Sequence, residues 1–228
     1  MWWYRGLHAL LVGSLERFAP KPFRHLLDAG CGTGGFLRRA EVVWPSLSLD
    51  GIDRSPLAVE LARERVARAT IAEGDVHALP FDDGRFDAIV LADVLYHREV
   101  DPPRALRECR RCLRTGGIVV VNAPAYEWLR GAHDVPTHSA RRFTRRGLVA
   151  ETEGAGLAIV KATYWNTLLF PLMALRRKLF RGGGSDVHAY PALVEGFFRA
   201  VIAAERALLA WGSAPFGGSV FVVGQRRD

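Results

Sequence analysis

The stretch Leu26–Gly35, LLDAGCGTGG, is an apolar run that ends in an acid and then breaks into four glycines within six residues. An apolar run that stops at glycine reads as a buried strand passing into a tight turn, where the chain needs left-handed conformations or a close backbone approach. Two spacings are superposed in it. Gly30, Gly32 and Gly35 spell G-x-G-x-x-G, the turn that cradles a dinucleotide pyrophosphate. Asp28, Gly30, Gly32 and Gly34 spell acid-x-G-x-G-x-G, in which a carboxylate precedes the turn. These ten residues do not choose between the two, so the choice falls to the rest of the chain.

Working outward, strand and helix signals alternate. HLLDAG (25–30) reads as a short buried strand, residues 34–41 as a helix, and LSLDGID (47–53) as a second strand ending in an acid. SPLAVELARERVARA (55–69) opens with Ser55 as N-cap and Pro56 at the first helical position. TIAEGD (70–75) and FDAIVLAD (86–93) read as strands, PPRALRECRRCLRTGG (102–117) as a helix closed by Gly116, and IVVVNAP (118–124) as another buried strand. Continuous apolar strands alternating with helices predict a doubly wound α/β fold, a mostly parallel sheet covered on both faces. Beyond it come a helix over 144–156, a strand over 157–165 and helical stretches over 166–180 and 191–211, with RGGGSD (181–186) between them as a hinge. A last strand follows at 219–227. The expected organisation is an N-terminal helix (1–20), an α/β domain (21–165 and 215–228) and a helical annex (166–214).

The bulk composition narrows the class. A chain of 228 residues that is 49% hydrophobic has enough apolar material for a sizeable core. Its net charge of +7 comes largely from scattered arginine pairs, which read as solvated helix faces rather than a nucleic-acid track. Three cysteines argue against a disulfide framework, and the Cys109-x-x-Cys112 pair has no second pair or nearby His to complete a zinc site, so no metal is expected. The N-terminal apolar stripe has no signal-peptide cleavage site, and TLLFPLMAL (167–175) would rise only ~14 Å, too short to cross a bilayer core. A cytoplasmic protein is expected, with contact at the inner membrane surface left open.

In a doubly wound fold ligands sit beyond the carboxyl ends of the strands. Asp53, at the end of the second strand, is where an acid accepts both hydroxyls of a ribose, whatever adenosine cofactor carries it. Asp28 separates the candidates, because a carboxylate there repels a pyrophosphate but suits the ammonium and sulfonium of S-adenosylmethionine. Asp75, at the end of the third strand, can accept from an adenine amino group while the Val76 N–H donates to the same ring. DPPR (101–104) looks like the D/N-P-P-Y motif of nitrogen-methylating enzymes. It comes too far after the fourth strand, and Arg104 replaces the stacking aromatic, so it reads as a Pro-initiated helix start.

Taken together, LLDAGCGTGGF, GIDRSPLAVELAR, GDVHALPFDDGRFDAIVLADVLYH and ALRECRRCLRTGGIVVVNAP resemble the class I S-adenosylmethionine-dependent methyltransferases, in particular their "type 11" group. The resemblance covers about residues 24–124. It implies seven strands with the last antiparallel. It also implies that Asp28, Gly30, Cys31, Gly32, Thr33 and Gly34 surround the methionine moiety and that Asp53, with Arg54 beside it, holds the ribose. Asp75 and Val76 would hold the adenine, with Leu91 and Ala92 as backbone contacts and S-adenosylhomocysteine as the product.

The acceptor side is read from the residues near the ends of the fourth and fifth strands. Methyl transfer to O–H or N–H⁺ needs alignment and removal of a proton. Tyr96 and His97 follow the fourth strand, with His97 a candidate base. The segment HDVPTHSARRFTRR (133–146) offers His133, Asp134 and His138 as an acid–base cluster and Arg141 and Arg142 as a clamp for an anionic group. Tyr126 is a further acceptor-side candidate. Glu205 falls within the apolar stripe Phe198, Ile202 and Leu209, so it is either paired with an arginine or looking into the acceptor pocket. FPLMALRRKLF (170–180) sets apolar residues beside a basic cluster, which fits core packing, a lipid-like acceptor or a membrane surface. The expected activity is methylation of a small molecule, with O-methylation leading. An RNA methyltransferase, a nicotinamide oxidoreductase and a non-catalytic binding protein that has kept the fold are the alternatives.

Overall fold

The computed structural model describes residues 2–130, 139–179 and 191–228. Seven strands form one sheet: β1 (His25–Ala29), β2 (Ser48–Asp53), β3 (Thr70–Glu73), β4 (Phe86–Ala92), β5 (Leu113–Pro124), β6 (Ala158–Trp165) and β7 (Ser219–Gln225). Their order is β3-β2-β1-β4-β5-β7-β6. The pairings from β3 through β5 are parallel, and β7 runs antiparallel to both β5 and β6. This is the doubly wound α/β sheet expected, with the terminal strand reversed. The strand order turns back between β1 and β4, the switch point where such sheets open a crevice at their carboxyl ends.

Alternate strand residues supply two cores. Leu27, Ile89, Leu91, Val119 and Val121 face α4 (Pro102–Cys112) and α5 (Arg145–Gly154). Leu26, Val90 and Val120 face the other side, which is covered by α1 (Trp2–Phe18), α2 (Gly35–Val43), α3 (Pro56–Arg65) and α7 (Ala192–Trp211). The period-two alternation of a strand is what divides one apolar run between two layers. In α1 the stripe Leu7, Leu11 and Leu15 is buried, and a Cβ on Gly6 would lie 2.6 Å from Ile202 Cγ2 of α7, so the two helices meet at a glycine.

Local signals explain the starts of α3 and α4. Ser55 Oγ accepts from the Ala58 N–H (3.3 Å) ahead of Pro56, and Asp101 Oδ1 accepts from the Arg104 N–H (3.2 Å) ahead of Pro102. The DPPR stretch is thus a capped helix start. The helix expected over 55–69 ends at Arg65 and the strand expected over 70–75 ends at Glu73, and two further boundaries differ from expectation. The helix predicted to run to Gly116 ends at Cys112, and β5 begins at Leu113. Arg226, from the far end of the chain, donates from Nη1 to the carbonyls of Arg110, Arg111 and Leu113, satisfying groups that a longer helix would have used. The helix predicted from residue 166 begins at Phe170 as α6 (Phe170–Leu179), preceded by Asn166 at φ 57°. The hinge expected at 181–186 lies outside the described residues. Cys109 and Cys112 are fully buried core side chains of α4.

Candidate functional site

A cavity of about 1340 Å³ opens over the carboxyl ends of the strands, at the switch point. The LLDAGCGTGG turn forms one wall. Gly30 (φ 87°), Gly32 (φ 51°) and Gly34 (φ 74°) are all left-handed, whereas Gly35 is the first residue of α2. The three glycines that need to be glycine are therefore those of the acid-x-G-x-G-x-G spelling. The N–H groups of Gly30 and Cys31 both donate to the Ile52 carbonyl (2.8 Å each), which ties the turn to β2. A Cβ on Gly30 would lie 2.4 Å from Val94 Cγ2. Gly34 caps α2 against Val66 and Ala62 and does not line the cavity. Thr33 lines it and accepts from Arg65 Nη1 at 2.7 Å.

Asp53, at the end of β2, spends one lone pair of each carboxylate oxygen on the backbone. Oδ2 accepts from the Gly32 N–H (2.8 Å) and Oδ1 from the Ser55 N–H (2.9 Å), so the carboxylate is oriented and each oxygen keeps acceptor capacity toward the cavity. Arg54 beside it pairs with Glu99. Asp75 and Val76 form the next stretch of wall. Asp75 Oδ1 accepts from the His77 N–H (2.9 Å) and lies 2.7 Å from His77 Nδ1. The backbone bond foremost holds its carboxyl below the usual range. His77 Nε2 in turn accepts from the Asp101 N–H (2.8 Å), which leaves Nδ1 carrying the proton that faces Asp75. His77, not singled out from sequence, thereby links Asp75 to the start of α4.

Buried charge is the distinguishing feature of this end. Asp28 is 2% exposed, and burial first, then the Asp53 charge, pushes its carboxyl up to about 7. Desolvation pushes Asp93 up to about 7 as well, against the opposing effect of the Asn122 hydrogen bond. No cationic side chain offsets Asp28 among the described residues. A cavity with Asp28, Asp53 and Asp93 on its walls and glycine backbone between them fits a cationic nucleoside and disfavours a pyrophosphate. The donor and acceptor set therefore fits S-adenosylmethionine. Ala92 lines the cavity, but Leu91 is a fully buried β4 side chain and does not; the wall is carried by Ala92 and Asp93, which follow it.

The opposite end is apolar. Trp2, Trp3, Tyr4 and Leu7 of α1 line it together with Leu172 and Met173 of α6 and Phe198 of α7. His8 lines the cavity beside the glycine turn, its ring 5.7 Å from that of Phe36, and its imidazole is lowered to about 4 by burial and by Arg39 and therefore neutral. The α1 residues were not anticipated as site residues, because an amphipathic stripe says which face is buried but not what it covers.

The acceptor-side expectations divide. Tyr96 and His97 line the cavity with their rings stacked at 4.3 Å. Arg142 lines it too, with its Nη1 donating to the Ala125 carbonyl (3.1 Å) and its N–H to Glu127 Oε2 (3.0 Å). Arg141 does not: its Nη1 donates to the Val100 carbonyl at 2.7 Å, so the pair is no two-armed clamp. Tyr126 is turned away at φ 55°, stacked on Tyr164 (5.2 Å) and Trp128 (5.7 Å) outside the cavity. Among the described residues Glu205 is neither arginine-paired nor part of the pocket lining. It is 3% exposed and accepts from the N–H groups of Thr167 (2.8 Å) and Leu168 (3.3 Å), holding the chain that leads into α6. His133, Asp134 and His138 lie outside the described residues. Many of the arginines behind the positive net charge are engaged internally, including Arg85 with Asp50, Arg111 with Asp83 and Glu108, and Arg226 with three carbonyls.

Comparison with known proteins agrees with this geometry. The family model described as "Methyltransferase domain" matches residues 27–121. The malonyl-[acyl-carrier protein] O-methyltransferase of Erwinia pyrifoliae is 31% identical over 185 residues, 76% of this chain and 67% of that protein. The chain belongs to the class I S-adenosylmethionine-dependent methyltransferases. Another family member, the demethylmenaquinone methyltransferase of Thermotoga maritima, is 38% identical over 96 residues, 42% of each protein. The matched segments span only about two fifths of the first curated relatives' own length. Among solved structures, a chain of the Haloferax volcanii complex between the Trm112 methyltransferase activator and a methyltransferase superposes with a TM-score of 0.65. It is 22% identical and is matched over 98% of this chain and 91% of that one. At that identity the likeness shows the methyltransferase fold alone. No helix among the described residues is long and apolar enough to cross a membrane.

Proposed function

We propose that this methyltransferase-family chain binds S-adenosylmethionine at the acid-lined end of the cavity and methylates a small molecule held at the apolar end. The observation that carries the reading is the make-up of the cavity wall, which joins Asp28, Asp53 and Asp75 from the carboxyl ends of β1, β2 and β3 to Trp2, Trp3, Leu172 and Phe198 from α1, α6 and α7. When bound, the cofactor supplies a methyl group on a sulfonium centre with a good leaving group. Asp53 orients the ribose with the oxygen lone pairs that its backbone bonds leave over. Asp75, steadied by His77, accepts from the adenine amino group, and Asp28 balances the cofactor's positive charge. The chain's remaining tasks are to align the acceptor, exclude water and receive a proton.

O-methylation is the reading we favour. It is supported by the O-methyltransferase name of the Erwinia relative and by DPPR acting as a helix cap instead of gripping a nitrogen. Tyr96 and His97, on the wall beyond β4, supply the acceptor side, with His97 the sequence-based candidate base. Titration calorimetry with S-adenosylhomocysteine and with NAD tests the first half: the former should bind and the latter should not. Tight NAD binding alone would overturn the reading. A label-transfer assay with methyl-labelled S-adenosylmethionine, run on small-molecule extracts and on RNA, tests the second half, and transfer to RNA alone would move the acceptor to nucleic acid.

A further inference from the structure

We propose that the outer face of α7, with the start of α1 beside it, docks the protein on an anionic lipid bilayer. Arg5, Arg199 and Arg206 take the lipid phosphates, and the apolar stripe of α7 enters the interfacial layer. At 3.6 residues per turn Leu193, Phe197, Ala200, Ala204, Leu208 and Trp211 fall along one side of α7, while Ile202, Glu205 and Leu209 form its buried side. The outer stripe faces solvent: Leu193 is 89% exposed, Phe197 61%, Leu208 65% and Trp211 95%. Single apolar side chains scattered over a surface are ordinary. Four large ones aligned on one helix face, with alanines between them and no charge among them, form a patch that marks an interaction site.

The charge beside the stripe indicates what covers it. Arg5 of α1 and Arg199 and Arg206 of α7 line a cleft of about 160 Å³ between the two helices, together with Trp2, Ile202 and Ala203. None of the three makes an ion pair among the described residues, and neither does Glu195, the other charged group on α7 that is not buried. Burial first, then the Arg39 charge, lowers the Arg206 guanidinium from its ordinary value, so a fourth arginine adds to the unbalanced positive charge. Guanidinium groups gathered on one cleft with no acid to answer them call for an anion, and their fork geometry matches phosphate oxygens. The far end of α7 is held by two more cations: Arg17 donates to the Ala210 carbonyl, and Lys161 Nζ donates to those of Leu209 (2.7 Å) and Gly212 (2.6 Å), next to Trp211. A helix that sets Leu, Phe and Trp on one flank and arginines on the other has the make-up of an interfacial helix. No helix among the described residues is long and apolar enough to cross a membrane, so the contact lies in the plane of the interface. Trp2 lines both the arginine cleft and the large cavity, so the docked face adjoins the candidate site.

The test is cosedimentation of the full chain with vesicles of phosphatidylcholine alone and of an equimolar mixture of phosphatidylcholine and phosphatidylglycerol. The wild type should bind the mixed vesicles roughly tenfold or more tighter than phosphatidylcholine, and added salt should erase that preference by screening. Arg5→Gln, Arg199→Gln and Arg206→Gln combined should weaken binding to the mixed vesicles roughly 100-fold, at about fivefold for each arginine near an anionic surface. Phe197→Ser combined with Trp211→Ser should weaken binding to both kinds of vesicle, by roughly tenfold or more on the mixed ones. None of these five residues lines the large cavity, so S-adenosylhomocysteine binding should be unchanged in both variants. Should the triple variant fail to fold, Arg199→Gln alone and the salt titration of the wild type carry the charge arm. Equal binding to both kinds of vesicle, binding to neither, or variants that bind as the wild type does overturn the proposal. So does a wild type that ignores vesicles and instead dimerises in sedimentation velocity until Trp211 is replaced, because a second copy then covers the face.

Discussion

Asp28 should make the unliganded protein less stable as pH rises. Its carboxyl is pushed up to about 7 in the fold, against roughly 4 in an unfolded chain. The folded state therefore binds more protons than the unfolded state between those values, and stability falls with rising pH through that window. Integrating the linkage from pH 5 to pH 8 gives a loss of roughly 2.5 kcal/mol from this one group. For a chain of this length that corresponds to about 5–10 °C in Tm. Asn at this position keeps the shape and cannot ionise, so the difference between wild type and Asp28→Asn isolates the effect from every other titrating group. Scanning calorimetry of both proteins at pH 5 and pH 8 is the assay, and parallel pH slopes would refute the reasoning. The same linkage has a binding counterpart. A cationic ligand that restores an ordinary pKa to Asp28 must expel its proton, about 0.9 proton per site at pH 6 and about 0.1 at pH 8. Calorimetry of S-adenosylmethionine binding in buffers of different ionisation enthalpy counts those protons directly.

Asp53→Ala should weaken S-adenosylhomocysteine binding roughly 10–100-fold, because charge-assisted bonds to the ribose disappear and the Gly32 and Ser55 N–H groups lose their acceptor; titration calorimetry reads this, and a change under twofold would place the ribose elsewhere. His77→Ala should cost roughly 3–10-fold in the same assay by freeing Asp75. Its effect should shrink in an Asp75→Ala background, and full additivity would show that His77 does not act through Asp75. Gly6→Ala puts a Cβ 2.6 Å from Ile202 Cγ2 and should cost roughly 1–3 kcal/mol by overpacking the α1–α7 contact. An unchanged thermal midpoint would mean that α1 does not pack there.

The parts of the site that could be read from sequence are those whose geometry is local. Gly30, Gly32 and Gly34 lie in a turn whose left-handed conformations only glycine adopts cheaply, so the spelling of the turn and its backbone path are one fact. Asp53 ends β2 and Asp75 follows β3 by two residues, and a strand end has a fixed place in a parallel sheet. Glu205 failed as a pocket residue for the complementary reason. A carboxylate on an apolar helix face must be satisfied, but which backbone N–H groups reach it depends on where a segment some forty residues earlier comes to lie. Tyr126 and Arg141 were misplaced in the same way, since one turn at φ 55° and one carbonyl at Val100 decide where they point. His77 was missed because its two bonds run to Asp75, which is close in sequence, and to Asp101, which is not.

This contrast bears on why the methyl donor can be named from residues and the acceptor cannot. The donor end is built from short loops at successive strand ends, each contributing one acid or one glycine turn, so a linear pattern encodes it. The rest of the cavity depends instead on contacts between residues distant in sequence, such as Trp3, Asp93, Asn122 and Trp165, of which Trp3 and Asp93 line it. Trp3 packs on Trp165 at 5.6 Å, Trp165 donates to Asn122, and Asn122 donates to Asp93. A substitution at Trp3, ninety residues from Asp93 in sequence, therefore bears on the same acid through two intermediaries. A wall of that kind can change its ligand without altering any motif at the donor end. The acceptor's chemistry is consequently to be sought among the α1, α6 and α7 side chains that line the cavity, not in the glycine turn.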